Sequence, residues 1–355
     1  MAKNKDLGTA KTNKKDEFYT QLTDIEKEVR HYKNQFRDKI VLCNCDDPKV
    51  SNFTKYFILN FNFLGLKKLI VTCYKNQNPD LFSLNDCEKA VYMEYSGTAN
   101  ANGVPDDKEL IFKELKGDGD FRSPECINIL KQADIVVTNP PFSLWREYIA
   151  QLVKYEKQFL IIGNINSVTY KEVYPLILAG KVWLGASIHS GDRVFNVPDD
   201  YPLKAAGCGI DKDGNKFIKV KGVRWFTNLD YRERHEDFIS IRSYTPEEYP
   251  SFGNFDKCIF VKDTVDIPMD YDGLMAVPIT FLDKYNPAQF ELVGMTNDSN
   301  FIKANGGNSI GREVLEKARR QGNNSHITAN MFTLYYTKPD GKIDFPFARI
   351  IIKRK

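Results

Sequence analysis

The sequence predicts an α/β fold built on a mostly parallel sheet, followed past about residue 240 by a separate α+β unit. Short apolar, β-branched runs alternate with helix-periodic stretches from residue 39 to about 185, the pattern of strands joined by right-handed crossovers. That alternation then fades into β-like pieces and turn-rich stretches. A length of 355 residues accommodates one large core or two modest ones.

The elements follow in order. Residues 1–15 carry five lysines and no apolar cluster, which predicts a flexible basic N-terminus. An aromatic turn at Phe18 and Tyr19 leads into a helix over 24–36, where Thr23 and Glu26 form a capping box and Ile25, Val29 and Tyr32 share a face. KIVLCN (39–44) reads as a strand, SNFTKYFILNFNFLG (51–65) as a helix and KKLIVTCY (67–74) as a strand. AVYMEY and ELIFKELKG flank the turn-rich SGTANANGVPDD as a hairpin. Ser123 and Pro124 open a helix, DIVVTN (134–139) is a strand, 144–156 a helix and QFLIIGN (158–164) a strand. A short helix at 170–179 ends at Gly180, KVWLG follows, and GVRWFTNLD (222–230) is a strand that can still join the first sheet. Beyond 240, helices are expected at 277–285 and 309–321.

Apolar content of 42% and charge of 27% match ordinary globular chains. There is no apolar run near the roughly 20 residues a spanning helix needs, and the start lacks the apolar centre of a secretory signal; a cytoplasmic location is expected. Seven scattered cysteines and four distant histidines predict reduced, mostly buried thiols and no metal site. Residues 301–355 hold 11 Lys or Arg against 4 Asp or Glu, so the basic excess is C-terminal. That segment is either a phosphate-binding surface or a solvated helix face with a basic tail.

The run DIVVTNPPF ends a buried strand in Asn139, Pro140, Pro141 and Phe142. In an open parallel sheet, ligands bind at the carboxyl ends of strands. The prolines fix φ, remove two donors and hold the preceding residues extended. The result is a rigid set of acceptors beside an aromatic face. Such a set suits an exocyclic amine on a flat base: the Asn139 amide oxygen and the Pro140 carbonyl each accept a hydrogen, aiming the nitrogen lone pair at an electrophile. Phe142 stacks on the ring. An ordinary Asn-Pro-Pro turn is the alternative.

With DIVVT before it, NPPF resembles the catalytic motif of the amino-group DNA methyltransferases that use S-adenosylmethionine. DEFYTQ (16–21) resembles their N-terminal cofactor motif, which nominates Phe18, Tyr19 and Thr20. GDGDFRS (117–123) resembles their acidic motif, in which Asp120 would contact the cofactor adenine and Phe121 flank it. CNCDDPKVSNFTKYF, GDGDF, NPPFSLWREYI and IIGNINSVTYKEVYP together are similar to the EcoRI-type adenine-specific methyltransferase family. The resemblance covers about residues 16–238. It implies a Rossmann-like methyltransferase sheet, a catalytic domain over 16–238 and a C-terminal α+β target-recognition region over 239–355.

The first turn departs from most such enzymes. It reads Asn44, Cys45, Asp46, Asp47, Pro48, without the glycines that let a backbone approach the cofactor. Asp46 or Asp47 is expected to accept from the cofactor ammonium group, with Ser51 and Asn52 opening the next helix; a plain Asx turn is the alternative. Tyr74, at the end of the second strand, is a weaker candidate for the cofactor. A flipped-out base needs a second aromatic cover, for which Trp225 or Phe226 is the candidate, with a core strand as the alternative. Arg224, Arg232, Arg234, Arg312, Arg319 and Arg320 are candidate DNA contacts, with solvated surface as the alternative. GNINS (163–167) is either a pocket loop or an ordinary turn.

The expected activity is methylation of adenine N6 in a short duplex DNA sequence. The rivals are N4-cytosine methylation, methylation of RNA or a protein amide, and an inactive DNA-binding module. A restriction endonuclease acting separately on the same site is a candidate partner, and a monomer is expected.

Overall fold

The structure, a computed structural model, describes residues 20–74, 90–97, 105, 109–197, 203, 207–323 and 325–355. The N-terminal segment read as flexible, Phe18, Tyr19 and much of the SGTANANGVPDD turn lie outside the described residues. The chain divides into two compact units: Met1–Ser167 with Val182–Tyr231, and Val168–Lys181 with Arg232–Lys355.

In the first unit the strands are β1 (Ile40–Cys43), β2 (Lys68–Thr72), β3 (Val91–Tyr95), β4 (Ile111–Glu114), β5 (Ile135–Thr138) and β6 (Gln158–Asn164). They continue with β7 (Trp183–Leu184), β8 (Arg193–Asn196), β9 (Cys208–Ile210), β10 (Lys216–Val220) and β11 (Val223–Thr227). The main sheet has the order β4-β3-β2-β1-β5-β6-β11-β7, and β8, β10 and β9 form a second, three-stranded sheet. The central strands β2, β1, β5 and β6 run parallel. Both flanks are antiparallel. The sheet is therefore mixed, where the sequence pattern predicted a mostly parallel one. Helix alternation identifies crossovers, whereas the β3–β4 hairpin and the return of β11 beside β6 need none.

The helices of this unit are α1 (Leu22–Val29), α2 (Asn52–Leu59), α3 (Phe61–Leu64), α4 (Pro124–Gln132) and α5 (Trp145–Lys154). The expected capping box does not form. Gln21 is the N-cap of α1 and makes no side-chain cap bond, because its amide instead donates to Asn196 Oδ1 at 3.0 Å. Helix α1 so begins before Thr23 and tightens into a 3₁₀ turn over Arg30–Gln35. Ile25, Val29 and Tyr32 are buried, and with them Glu28, whose carboxylate accepts from Tyr32 Oη (2.7 Å) and the amides of Ala186 (2.8 Å) and Ser187 (2.7 Å). The helix read over 51–65 breaks at Asn60 into α2 and α3 and ends at Gly65, whose φ is 66°. Ser123 caps α4 by accepting from the Cys126 amide.

The second unit contains α6 (Tyr174–Leu178), β12 (Ser251–Phe252), β13 (Phe255–Phe260), β14 (Leu274–Pro278) and β15 (Phe290–Met295). It continues with α7 (Ser299–Ala304), α8 (Arg312–Arg320), β16 (Tyr336–Thr337), β17 (Ile343–Asp344) and β18 (Arg349–Arg354). Its sheet has the order β12-β13-β14-β18-β15. The helix expected over 277–285 is instead the end of β14 followed by a 3₁₀ turn, Ile279–Lys284; Val277 and Pro278 are held extended by pairing with β18, and Pro287 disfavours helical geometry at Asn286. Helix α6 packs on β15.

Cys73 is disulfide-bonded, which corrects the expectation that all thiols are reduced; scattered spacing does not disclose pairing. Cys43, Cys45, Cys126, Cys208 and Cys258 are free. Among the described residues no helix is long and apolar enough to cross a membrane.

Candidate active site at the ends of β1 and β5

Strand order reverses between β1 and β5, because β2 lies beyond β1 and β6 beyond β5. Such a reversal leaves a crevice outside the carboxyl ends of the two strands. The Asn44–Asp47 turn follows β1, and Asn139 follows β5.

Asp46 joins the two. It is buried, its Oδ2 accepts from Thr138 Oγ1 at 2.5 Å, and its Oδ1 accepts from Ser51 Oγ at 2.7 Å. Burial pushes its carboxyl up to about 6, against the lowering effect of the Thr138 and Ser51 hydroxyls, and the charge of Asp47 adds to the rise. Asp47 is partly exposed. Its Oδ1 accepts from the Lys49 amide at 2.8 Å and its carbonyl from the Ser51 amide at 2.9 Å. This is the Asx turn left open by the sequence. Ser51 then caps α2 by accepting from the Phe53 amide at 3.0 Å. Asn52 Nδ2 donates to the Thr20 carbonyl at 2.8 Å, which fixes the end of the DEFYTQ motif against the start of α2. Cys45 is partly exposed beside them.

Asn139 and Pro140 are buried, while Pro141 and Phe142 are half-buried, and Phe142 packs on the core. The Leu144 amide closes a turn onto the Pro141 carbonyl at 3.0 Å. Helix α5 then begins with Trp145, whose Nε1 donates to the Ile162 carbonyl at 2.8 Å. Tyr148, one turn on, donates from Oη to Asn44 Oδ1 and sets its ring edge-on to Phe121, centroids 5.0 Å apart. Burial raises the Tyr148 phenol well above its ordinary range.

The GDGDF loop fits against the end of β2. Gly119 has φ 78°, and a Cβ there would stand 2.2 Å from the Cys73 carbonyl oxygen, so only glycine is accommodated. The Asp120 carboxylate pairs with Arg122 (2.7 Å), which also pairs with Glu147 (2.6 Å). Phe121 is 6% exposed, and its carbonyl accepts from Gln151 Nε2 at 2.9 Å. Tyr74 follows β2 and is partly exposed.

Other candidates lie elsewhere. Trp225 and Phe226 are core residues of β11, 1% and 0% exposed, edge-on to Phe53 and Trp145 respectively. The core-strand alternative thus describes both, and neither offers a ring to a ligand. Arg224 is buried too, donating to the carbonyls of Val223 (2.8 Å) and His189 (2.5 Å), which removes it from any DNA-facing surface. Arg232 and Arg234 belong to a 3₁₀ turn of the second unit. Arg312, Arg319 and Arg320 are exposed on α8. Asn164 donates to the Lys221 carbonyl and accepts from the Asn166 amide, as an ordinary turn would. Sequence reasoning missed Thr138, Tyr148 and Gln151; only the adjacency of Thr138 to Asn139 hinted at any of them. No group of three or more His, Cys, Asp or Glu among the described residues could hold a metal ion.

The fold is that of a mixed α/β protein whose candidate site residues stand at the strand-order reversal. The family described as adenine-specific methyltransferase EcoRI matches residues 6–355, and the chain belongs to it: it is an adenine-specific DNA methyltransferase. It is 48% identical over 329 residues to the type II methyltransferase M.EcoRI of Escherichia coli, covering 90% of this chain and 98% of that protein. It is 39% identical over 289 residues to the type II methyltransferase M.MpnI of Mycoplasma pneumoniae, covering 80% and 83%. No solved structure matches the chain.

Proposed function

We propose that the chain transfers a methyl group from S-adenosylmethionine to N6 of an adenine flipped out of duplex DNA, by direct in-line attack without a covalent enzyme intermediate. The observation that carries this reading is the position of Asn139 beside the Asn44–Asp47 turn, the two joined through Thr138 and Asp46. The sheet is read as a Rossmann-like methyltransferase sheet, since its parallel centre reverses order where the site lies.

The residues present fit the methyl donor. Among the described residues Thr20 Oγ1 is buried without a hydrogen-bond partner, Asp47 is the more open of the two turn carboxylates, and Gly119 keeps the loop bearing Asp120 and Phe121 close to β2. Thr20, the Asn44–Asp47 turn, Ser51, Asn52, Tyr74, Asp120 and Phe121 would hold it. When bound, S-adenosylmethionine supplies an electrophilic methyl group on a sulfonium. Asn139 Oδ1 and the Pro140 carbonyl accept the two amine hydrogens and draw the nitrogen towards tetrahedral geometry. Phe142 stacks on the base, and Pro141 keeps the loop rigid.

Part of the second unit, residues 239–355, is read as the target-recognition region, with Arg312, Arg319 and Arg320 of α8 on phosphates and Arg232 and Arg234 as further contacts. The reading takes the protein as a cytoplasmic monomer, which can methylate a palindromic site in two visits, with a restriction endonuclease acting separately on the same site as a candidate partner.

The test is expression in a host lacking adenine methylation, followed by modification-sensitive sequencing of genomic DNA. N6-methyladenine confined to one short motif is expected. Unmodified adenine, from a folded protein that binds S-adenosylmethionine, would defeat the reading.

A further inference from the structure

The turn after β1 and the loop after β5 are tied at two places, one on each side of Asn-Pro-Pro-Phe. Before it, Thr138 Oγ1 donates to Asp46 Oδ2 at 2.5 Å. After it, Tyr148 Oη donates to Asn44 Oδ1. Asp46 is also held from its other oxygen by Ser51, the cap of α2, at 2.7 Å. All the side chains in these links are buried.

A buried carboxylate is an expensive way to join two elements, because apolar packing holds them without removing a charge from water. What the carboxylate adds is direction. Its two oxygens each accept one hydroxyl, so the position of Thr138, and with it the next residue, Asn139, is set relative to the start of α2. Methyl transfer is sensitive to such placement, since a misplacement of about 1 Å costs on the order of a hundredfold in rate.

We propose that Asp46 is a positioning residue that sets the distance between the methyl-donor turn and the acceptor groups of Asn139 through Thr138, with Asn44 and Tyr148 as the second link. This rests on the reading above, that the β1 turn holds the donor and Asn139 the amine. Both carboxylate oxygens of Asp46 are taken by Thr138 and Ser51, so the ammonium contact falls to Asp47.

The test compares Thr138→Val, Thr138→Ser, Asp46→Asn and the Thr138→Val/Asp46→Asn double variant in single-turnover methyl transfer on duplex DNA. KM for DNA, S-adenosylmethionine affinity by calorimetry and the unfolding midpoint are measured alongside. Thr138→Val is expected to slow transfer about 10- to 100-fold with KM for DNA changed less than about threefold. Thr138→Ser, which keeps the donor, restores the rate to within about threefold of the original. The double variant is expected to be no more than about twofold slower than the slower single variant, since both break one contact. A folded Thr138→Val that transfers at the original rate, or two effects that simply multiply, overturns the proposal. Should Thr138→Val fail to fold, Asp46→Asn decides alone: a tenfold or greater loss of rate at unchanged DNA KM supports the proposal, and an unchanged rate overturns it. If the unaltered protein does not bind S-adenosylmethionine, the donor-site reading fails and takes the proposal with it, an outcome distinct from an insensitive Thr138.

Discussion

Gly163 lies directly against the indole of Trp145: a Cβ on Gly163 would stand 2.6 Å from Trp145 Nε1 and 2.9 Å from the ring of Phe226. The indole lies this close to β6 because its Nε1 donates to the carbonyl of the preceding residue, Ile162. Trp145 opens the helix that follows Asn-Pro-Pro-Phe, so the glycine sets how closely that helix lies on the sheet. Gly163→Ala is expected to cost about 1–3 kcal/mol of stability through overpacking, read by denaturant unfolding, with a parallel loss of methyl transfer.

On the proposed mechanism, Asn139→Ala removes one of the two acceptors offered to the amine. The expected result is a fall in the transfer rate of about 10² or more, measured by uptake of labelled methyl groups. Folding and S-adenosylmethionine affinity should remain near those of the parent, because the side chain acts on the acceptor and not on the donor. Retained activity would falsify the role given to Asn139.

Glu28 accepts three donors while fully buried. Glu28→Ala leaves the Ala186 and Ser187 amides without that partner, at about 1–3 kcal/mol for each unsatisfied group. Urea unfolding should show a large drop in midpoint. The protein that remains folded should still bind S-adenosylmethionine, since Glu28 lies outside the site.

Asp46 gives a pH dependence of stability with a definite sign. Its folded value is raised to about 6 from 3.8, so the native state binds the proton more tightly than the unfolded chain does. The stabilisation is complete below about 3.8 and is lost as pH rises through about 6. Between pH 7.5 and pH 5, this one group should make the native state about 1 kcal/mol more stable at the lower pH. Asp46→Asn abolishes that difference, and paired denaturant curves at the two values check it.

Arg319 on α8 is exposed, with one long contact to the Ile327 carbonyl at 3.5 Å. If it meets a phosphate, Arg319→Ala weakens cognate and non-cognate DNA alike and lowers the slope of log affinity against log salt by about 1. A loss confined to the cognate sequence would assign Arg319 to base reading instead.

How much of this was legible follows from where each signal resides. Buried parallel strands read as apolar runs, so β1, β2, β5 and β6 stood out, and Ser123 with Pro124 marked the start of α4 because caps are local. Thr23 and Glu26 gave an equally local signal that the fold overrode, since the side chain of Gln21 is drawn to Asn196, 175 residues away. Nothing near Glu28 in the sequence marks it as buried; its amide donors lie 158 and 159 residues on, beyond any window of periodicity. Trp225, Phe226 and Arg224 sit in one short strand, and a strand's composition does not say whether a second layer covers it. For the site, the sequence showed which residues end β1 and β5. It did not show that Asp46 reaches Thr138, because that contact exists only once the strands are neighbours.

In the second unit, β18 lies between β14 and β15, and β15 has no other neighbour in the sheet. β15 therefore gains its partner in the sheet only when the later strand β18 docks beside it. Closing this sheet inserts β18 between β14 and β15, a long-range pairing of the kind that folds slowly. Loss of β18 would accordingly split the sheet, leaving β12, β13 and β14 paired and β15 without its partner.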